Sequence, residues 1–433
     1  MKSFVVVREY ARLTTDEVAY SLDQATVSQS AFDWLCEISS SFSKQGASLL
    51  HVENRRWLCL DSYVGIVETP CGTVLEILPK HVDETSDEAV VEARQLLCKM
   101  LETALDLPTR DTSVTDVSLF KHPLLEWVMQ QFLTALKILV KRGLRFDYQN
   151  VEESQRYLRG QLDVNKQLRQ PPGRSHIFNI RHDVFLPDRA ENRLLKTALH
   201  RIAAATQQPE TWRLSRELLG LLSEIPESRN IKSDFNLWRS DRLMAHYKNI
   251  HPWCRLILGE FMPLAVRGAS SGISLLFPME KLFEHYVEVK LRQHLMYPFH
   301  LKSQAKTFSL CEHKSSPMFQ LMPDLLIQSQ VANVAVLDTK WKRINQNKFS
   351  DKFDLSQGDF YQMFAYGHKY LSESKGDLVL IYPRWTNLTE AIADPFVFGE
   401  ELNLWVVPFD LKNDLIIWPE QMETRNFIYR HAA

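Results

Sequence analysis

The stretch that most constrains this chain is residues 334–344, VAVLDTKWKRI. Four apolar residues run without a break to Leu337, the pattern of a strand covered on both faces. Asp338, Lys340 and Lys342 then alternate with Thr339 and Trp341. Alternate side chains of a strand share a face, so one carboxylate and two ammonium groups point together, while Leu337, Thr339 and Trp341 point the other way. A buried strand that ends this way calls for a charged partner at its tip.

Upstream, FQLMPDLLIQ (residues 319–328) predicts a strand carrying Pro323-Asp324, and the short SQVAN link predicts an antiparallel hairpin that brings Asp324 towards Asp338. Two carboxylates at one sheet edge repel unless a divalent cation sits between them. Oxygen ligands of this kind suit Mg²⁺, which takes one or two carboxylates together with phosphate and water. A lysine beside such a cation can position a water, or help deprotonate it, for attack on phosphorus.

Two more pieces fit. On a helix expected near 358–372, Gln362 and Tyr366 lie four residues apart on one face. On an earlier helix, Glu284 in KLFEHYVE shares a face with Glu280 and Glu288 and can extend the acidic site through water. Singly, these are ordinary: a D-x-K strand end is mostly a solvated edge, Gln-x-x-x-Tyr is mostly helix surface, and Glu284 reads as an exposed helix charge. In the order helix-Glu, strand-PD, strand-DxK, helix-QxxxY they read as one site.

The rest of the chain falls into three segments. Residues 1–110 are β-rich, with a hairpin turn at Pro70-Cys71-Gly72 and a helix around 86–106. Residues 111–255 hold a long helix ended by Gly143, paired strands around an arginine-bearing loop, a helix N-capped by Asp188 and a polar helical connector. This mixed α+β middle region is expected to project from the body and dock a partner. Residues 256–433 hold the site, with strands expected near 306–310, 319–328 and 334–341. The expected fold class is therefore α/β multidomain.

Charge sets a limit on what the chain does alone. With 51 basic against 53 acidic residues among 433, it lacks the basic excess of an independent DNA reader, so a local patch or a partner must supply targeting. Lys342, Arg343 and Lys348 can hold phosphates near the site, although a solvated loop explains the residues after Lys342 equally well. Six widely spaced cysteines give no zinc, iron–sulfur or disulfide spacing and point to a reducing cytoplasm. No segment reads as a signal peptide or membrane span, and no Walker A motif is present.

The site order resembles the PD-(D/E)xK nuclease superfamily, and the Gln362–Tyr366 pair resembles its RecB-like branch. MEKLFEHYV, MPDLLI, VLDTKWK and DFYQMFAYGHKY are similar to the C-terminal nuclease of the McrC family. YVGIVETPCGTVLEILPK resembles that family's N-terminal hairpin, and LRGQLDVNKQLRQ with DRAENRLLKTAL its middle region. The resemblance implies a restriction-endonuclease-like mixed sheet flanked by helices. It implies Mg²⁺, with Mn²⁺ as a substitute, held by Asp324, Asp338, the Thr339 backbone carbonyl and, through water, Glu284. Lys340 would serve the attacking water, with Gln362 and Tyr366 in support. It further implies a hexameric McrB-like AAA+ GTPase partner that recognises modified cytosine in double-stranded DNA and translocates it. Docking would stimulate that partner's nucleotide hydrolysis, with Arg159, Arg169, Arg174 and Arg181 as the candidate stimulating residues. The additions relative to a compact family member lie in the N-terminal part and the 206–255 connector. Two other readings stay open: a RecB-like repair nuclease acting alone, and a non-catalytic adaptor that stimulates an AAA+ motor.

Overall fold

A computed structural model of the chain describes residues 3–43, 50–54, 56–81, 86–107, 123–259, 274–330, 332–371, 376–399 and 402–423. It is a mixed α/β protein with several separate sheets. Two compact units emerge, and they do not follow chain order: Met1–Lys121 with Leu276–Ala433, and His122–Leu275. The β-rich N-terminal segment thus folds together with the segment that carries the site, where the sequence suggested two separate domains. Contacts such as Trp341 to Glu9 and Arg343 to Lys80 join them, and no local periodicity announces contacts of that range. The boundary expected at 110–111 lies outside the described residues.

In the first unit, Phe4–Arg8 pairs in parallel with Val74–Leu78, which pairs antiparallel with Tyr63–Glu68. Gly72, at φ 85°, turns the latter hairpin as its sequence requires. Helix Asp87–Ala104 starts on a Ser86 side-chain cap and buries Leu97, Met100 and Leu101. Its Lys99 reaches the backbone carbonyl of Leu411 at 3.0 Å.

The main sheet of this unit runs in the order His300–Ser303, Leu325–Gln328, Asn333–Thr339, Gly376–Pro383, Leu402–Asp410, Phe396–Phe398, with Leu415–Ile416 also paired to Leu402–Asp410. Asn333–Thr339, Gly376–Pro383 and Leu402–Asp410 are parallel neighbours. Parallel strands need a crossover, and helix Gln357–Tyr370 lies in the first of these connections. This explains the unbroken apolar run: Val336, Leu337, Val379 and Leu380 are all fully buried. The helix presses Met363, Tyr366 and Tyr370 onto Val336, Leu378 and Leu404. Burying Met363 alone is worth about 2 kcal/mol. Closeness depends on Gly367, because a Cβ there would meet Leu402 Cδ2 at 2.5 Å.

Three expected elements change. The strand read over 319–328 is two pieces, Ser316–Gln320 and Leu325–Gln328. Phe319 takes a positive φ of 57°, and Pro323 offers no N–H to a ladder. The strand expected near 306–310 is Ser309–His313, which among the described residues pairs only with Ser316–Gln320. Finally, Asn333–Thr339 stops before Lys340, two residues short of the expected 341.

The second unit holds a three-stranded sheet, Asp147–Gln155, Phe178–Leu186 and Gln161–Leu162, beside helices including Leu124–Arg142 and Ala190–Ala205. Gly143, at φ 94°, ends the first helix. Asp188 is not the cap of the second. That position is Arg189, and the Asp188 carboxylate instead pairs with Arg193 at 2.7 Å.

Candidate active site

The hairpin pairs Leu325 with Leu337, so the next residue on each strand, Asp324 and Asp338, stand opposite one another at the sheet edge. Asp324 is fixed by its neighbour strand: Thr339 donates to its Oδ2 from the backbone N–H (2.9 Å) and from Oγ1 (2.8 Å). Burial, and then the charges of Asp338 and Glu284, push the Asp324 carboxyl up to about 7. Asp338 is 1% exposed. Burial raises its pKa, Lys340 opposes, and Asp359 and Glu284 add to the rise.

Lys340 sits where both strand and helix can hold it. Its Nζ lies 2.6 Å from the buried Asp338 Oδ2 as an ion pair. The same Nζ donates to Gln362 Oε1 at 3.1 Å. Burial pulls the Lys340 pKa down, but the carboxylates of Asp338, Asp359 and Asp324 win and hold it above its ordinary value. Gln362 Nε2 then donates to the Tyr366 hydroxyl (2.7 Å), which donates to the Met322 carbonyl (3.0 Å), just before Pro323-Asp324. A chain of polar contacts thus leaves one strand, crosses the helix and returns to the other.

Glu284 approaches from helix Met279–His294. It is buried, accepts from Gln304 Nε2 at 3.0 Å and pairs with Lys281 at 2.8 Å. Gln304 donates its backbone N–H to the Asp324 carbonyl at 2.8 Å, which ties Glu284 to the same edge. Glu288 does not join it but turns to Arg292 and His285.

Of the expected phosphate ligands, Lys342 stays near the site, 3.2 Å from Asp359. Arg343 turns away to the Lys80 carbonyl (3.0 Å) and the face of Trp385, and Lys348 pairs with Asp354 at 3.3 Å. Arg159, Arg169, Arg174 and Arg181 belong to the second unit and are exposed. Arg181 is held by Glu152 and Asp163, each at 2.8 Å.

Sequence reading missed Asp359, which is buried and sits 3.9 Å from Lys340 and 3.2 Å from Lys342. A signal existed: Asp359, Gln362 and Tyr366 recur at i, i+3 and i+7 on one helix face. Gln304 carried no such signal. Among the described residues, no three His, Cys, Asp or Glu side chains gather into a ready-made metal cage. Mg²⁺ commonly uses one or two carboxylates and completes its shell with water and phosphate, and the Asp324–Asp338 edge offers that kind of donor set.

A family model described as the McrBC 5-methylcytosine restriction system component matches residues 58–383. The chain belongs to the McrBC family. A refined half-complex from a tetradecameric assembly of Thermococcus gammatolerans McrB AAA+ hexamers with bound McrC contains a chain of similar fold. The TM-score is 0.70 at 18% identity, over 96% of this chain and 97% of that one. A cryo-EM structure of the Thermococcus gammatolerans McrBC complex gives a TM-score of 0.50 at 19% identity, over 67% of this chain and 87% of that one. At such identities the likeness is one of fold, and it extends over nearly the whole of this McrBC-family chain in the first case. No curated protein matches it. Among the described residues, no helix is long and apolar enough to cross a membrane.

Proposed function

We propose that this chain is the Mg²⁺-dependent DNA endonuclease subunit of an McrBC-type restriction complex, with a PD-(D/E)xK site in its C-terminal segment. The observation that carries the reading is the ring from Asp338 through Lys340, Gln362 and Tyr366 to the Met322 carbonyl, closed by the Asp324–Thr339 contacts. Unrelated surface residues do not converge in this way.

Asp324 and Asp338, with the Thr339 carbonyl, would hold Mg²⁺ or Mn²⁺, and Glu284 would act through water. The two buried carboxylates facing each other across the hairpin, and their mutual charge strain, fit a cation in that place. When bound, the metal supplies Lewis-acid polarisation of a phosphoryl oxygen and neutralises charge. Lys340 Nζ keeps its proton at rest, so it acts as a donor that orients water or phosphate. Gln362 holds that ammonium in register, and Tyr366 holds Gln362. Lys342 is placed to meet a backbone phosphate.

The family description and the fold shared with chains of McrBC assemblies support double-stranded DNA with modified cytosine as substrate and an McrB-like hexameric AAA+ GTPase as partner. The second unit, with Arg159, Arg169, Arg174 and Arg181, is the proposed docking and stimulating region. The test is cleavage of modified and unmodified plasmid by the chain with its AAA+ partner, GTP and Mg²⁺, comparing wild type with Asp338→Ala. Partner-dependent cutting that vanishes in the variant is expected. Partner stimulation without any cutting by wild type would leave an adaptor.

A further inference from the structure

We infer that the hairpin Ser309–His313/Ser316–Gln320, with Lys306 and Lys369 at its base, is a second contact for duplex DNA: the ribbon enters the major groove and the cleft beneath it seats a backbone phosphate. This rests on the nuclease reading above and adds to it a surface that positions the duplex.

Among the described residues the ribbon pairs with no other strand, and every residue from 310 to 320 is exposed. An isolated two-stranded hairpin is marginal in water, so its mounting matters. Tyr370 supplies it: its hydroxyl donates to the carbonyls of Ala305 (2.6 Å) and Leu321 (2.9 Å), and its ring meets Phe308 edge-on at 5.0 Å. Leu321 N–H closes the base on the Phe308 carbonyl. Tyr370 lies one turn beyond Tyr366 on the same helix, so ribbon and site share one rigid support.

Charge and shape select the occupant. Lys302, Lys306, Lys314 and Lys369 are all exposed, and none forms an ion pair among the described residues. Glu312 is the single acid between Gln304 and Pro323, in a chain whose net charge is -2. The core of a protein–protein interface is depleted of such charges, whereas phosphate recruits them. Lys306, Lys369, Thr307, Ser309 and Gln320 line a cavity of about 440 Å³ at the base and offer donors to a phosphate, with the Glu312 carboxylate as the one acid in the lining. Each ribbon strand spans about 14 Å, and a two-stranded ribbon fits a major groove about 12 Å wide. At the tip, Lys314 and Ser315 both adopt positive φ (50° and 61°), a turn that Asn-Gly would make at less cost. Met318 and Phe319 stay exposed on the ribbon, as apolar side chains that touch pyrimidine methyl groups in the groove do.

The experiment measures binding of the full-length chain, assembled with its AAA+ partner, to a fluorescent duplex across a salt series, in Ca²⁺ to block cutting, and the same complexes are assayed for plasmid cutting in Mg²⁺ with GTP. Wild type is compared with Lys306→Ala/Lys369→Ala and with Lys314→Glu. Losing two phosphate contacts should flatten the log–log salt slope by about 1.8, so that a fourfold rise in salt costs the double variant roughly tenfold less affinity than wild type. Lys314→Glu should weaken binding without changing the melting temperature. Equal slopes for wild type and double variant, with wild type still cutting plasmid in Mg²⁺, would overturn the ribbon contact and leave the nuclease reading standing. A wild type that neither binds duplex nor cuts would bring down both. Variants that alter self-association or partner binding, with the DNA slope unchanged, would make the ribbon a protein interface and refute the inference.

Discussion

Trp341 donates its indole N–H to Glu9 Oε1 across 2.7 Å, and so ties the residue after Lys340 to a carboxylate near the start of the chain. Glu9 also accepts from the Lys80 backbone N–H at 2.8 Å and has no exposure to solvent. Its Oε2 is buried with no hydrogen-bond partner among the described residues. Trp341 is in turn wedged against Phe283, on the helix that presents Glu284. The N-terminal segment therefore braces the candidate site from behind.

Burial pushes the Glu9 carboxyl up to about 7 from an ordinary 4.5, against weaker opposition from Lys80, Trp341 and Arg343. Folding then takes up a proton between those values. The stabilisation is complete below the unfolded pKa and is lost as pH rises through about 7, amounting to roughly 3 kcal/mol. Glu9→Gln keeps the acceptor for Trp341 and removes the charge. Denaturant melts at several pH values should show the variant more stable than wild type at pH about 8, with the gain gone at pH about 5. A pH-independent difference would show that Glu9 does not titrate in this way.

Asp359 stands between two lysines, 3.9 Å from Lys340 and 3.2 Å from Lys342. Asp359→Asn should lower the cleavage rate about 10–100-fold, the usual cost of removing a group that orients a catalytic one. Substrate affinity should change far less, because the lysines remain. Single-turnover kinetics separate the two, and a loss confined to KM would count against a positioning role.

Asp324 is held in an unfavourable charge state by burial and by Asp338 and Glu284. Asp324→Asn should therefore raise the melting temperature in metal-free buffer, by about 2–4 °C for each kcal/mol relieved. It should also abolish any further rise on adding Mg²⁺. A variant that melts earlier than wild type without metal would show that the acids are not in conflict.

Gly160 holds φ at 70°, and a Cβ there would meet the Arg181 carbonyl at 2.4 Å and His182 Cβ at 2.5 Å. Neither contact is with a flexible side-chain end, so the strand itself must move. Gly160→Ala should cost the second unit about 2–4 kcal/mol, from left-handed strain and overpacking together. Hydrogen exchange along Phe178–Leu186 should rise first, while the main sheet keeps its protection.

The central strand was readable because burial on both faces leaves a continuous apolar run, and Asp324 followed from the hairpin's length. Asp359 was not, because its burial between Lys340 and Lys342 depends on a strand and a helix meeting. The break at Pro323 hides in an apolar run that looks like one strand until the missing N–H is counted. Glu9 and Trp341 lie 332 positions apart, so no window on the sequence links them. Periodicity reports the faces of single elements, and it cannot say which two faces will be joined.

Gly367 lets the helix of Gln362 and Tyr366 settle against Leu402, a residue made 35 positions later. By Tyr366 the ribosome has already delivered every acid, the lysine, the glutamine and the tyrosine of the candidate site. The surface that seats their helix comes with Leu378 and Leu402–Asp410, and domains fold as units. A growing chain thus carries the whole chemical inventory in a shapeless form. For the DNA-cutting subunit proposed above, the order of synthesis then places the seat of the site's helix after the site's own residues, in the last parallel strand.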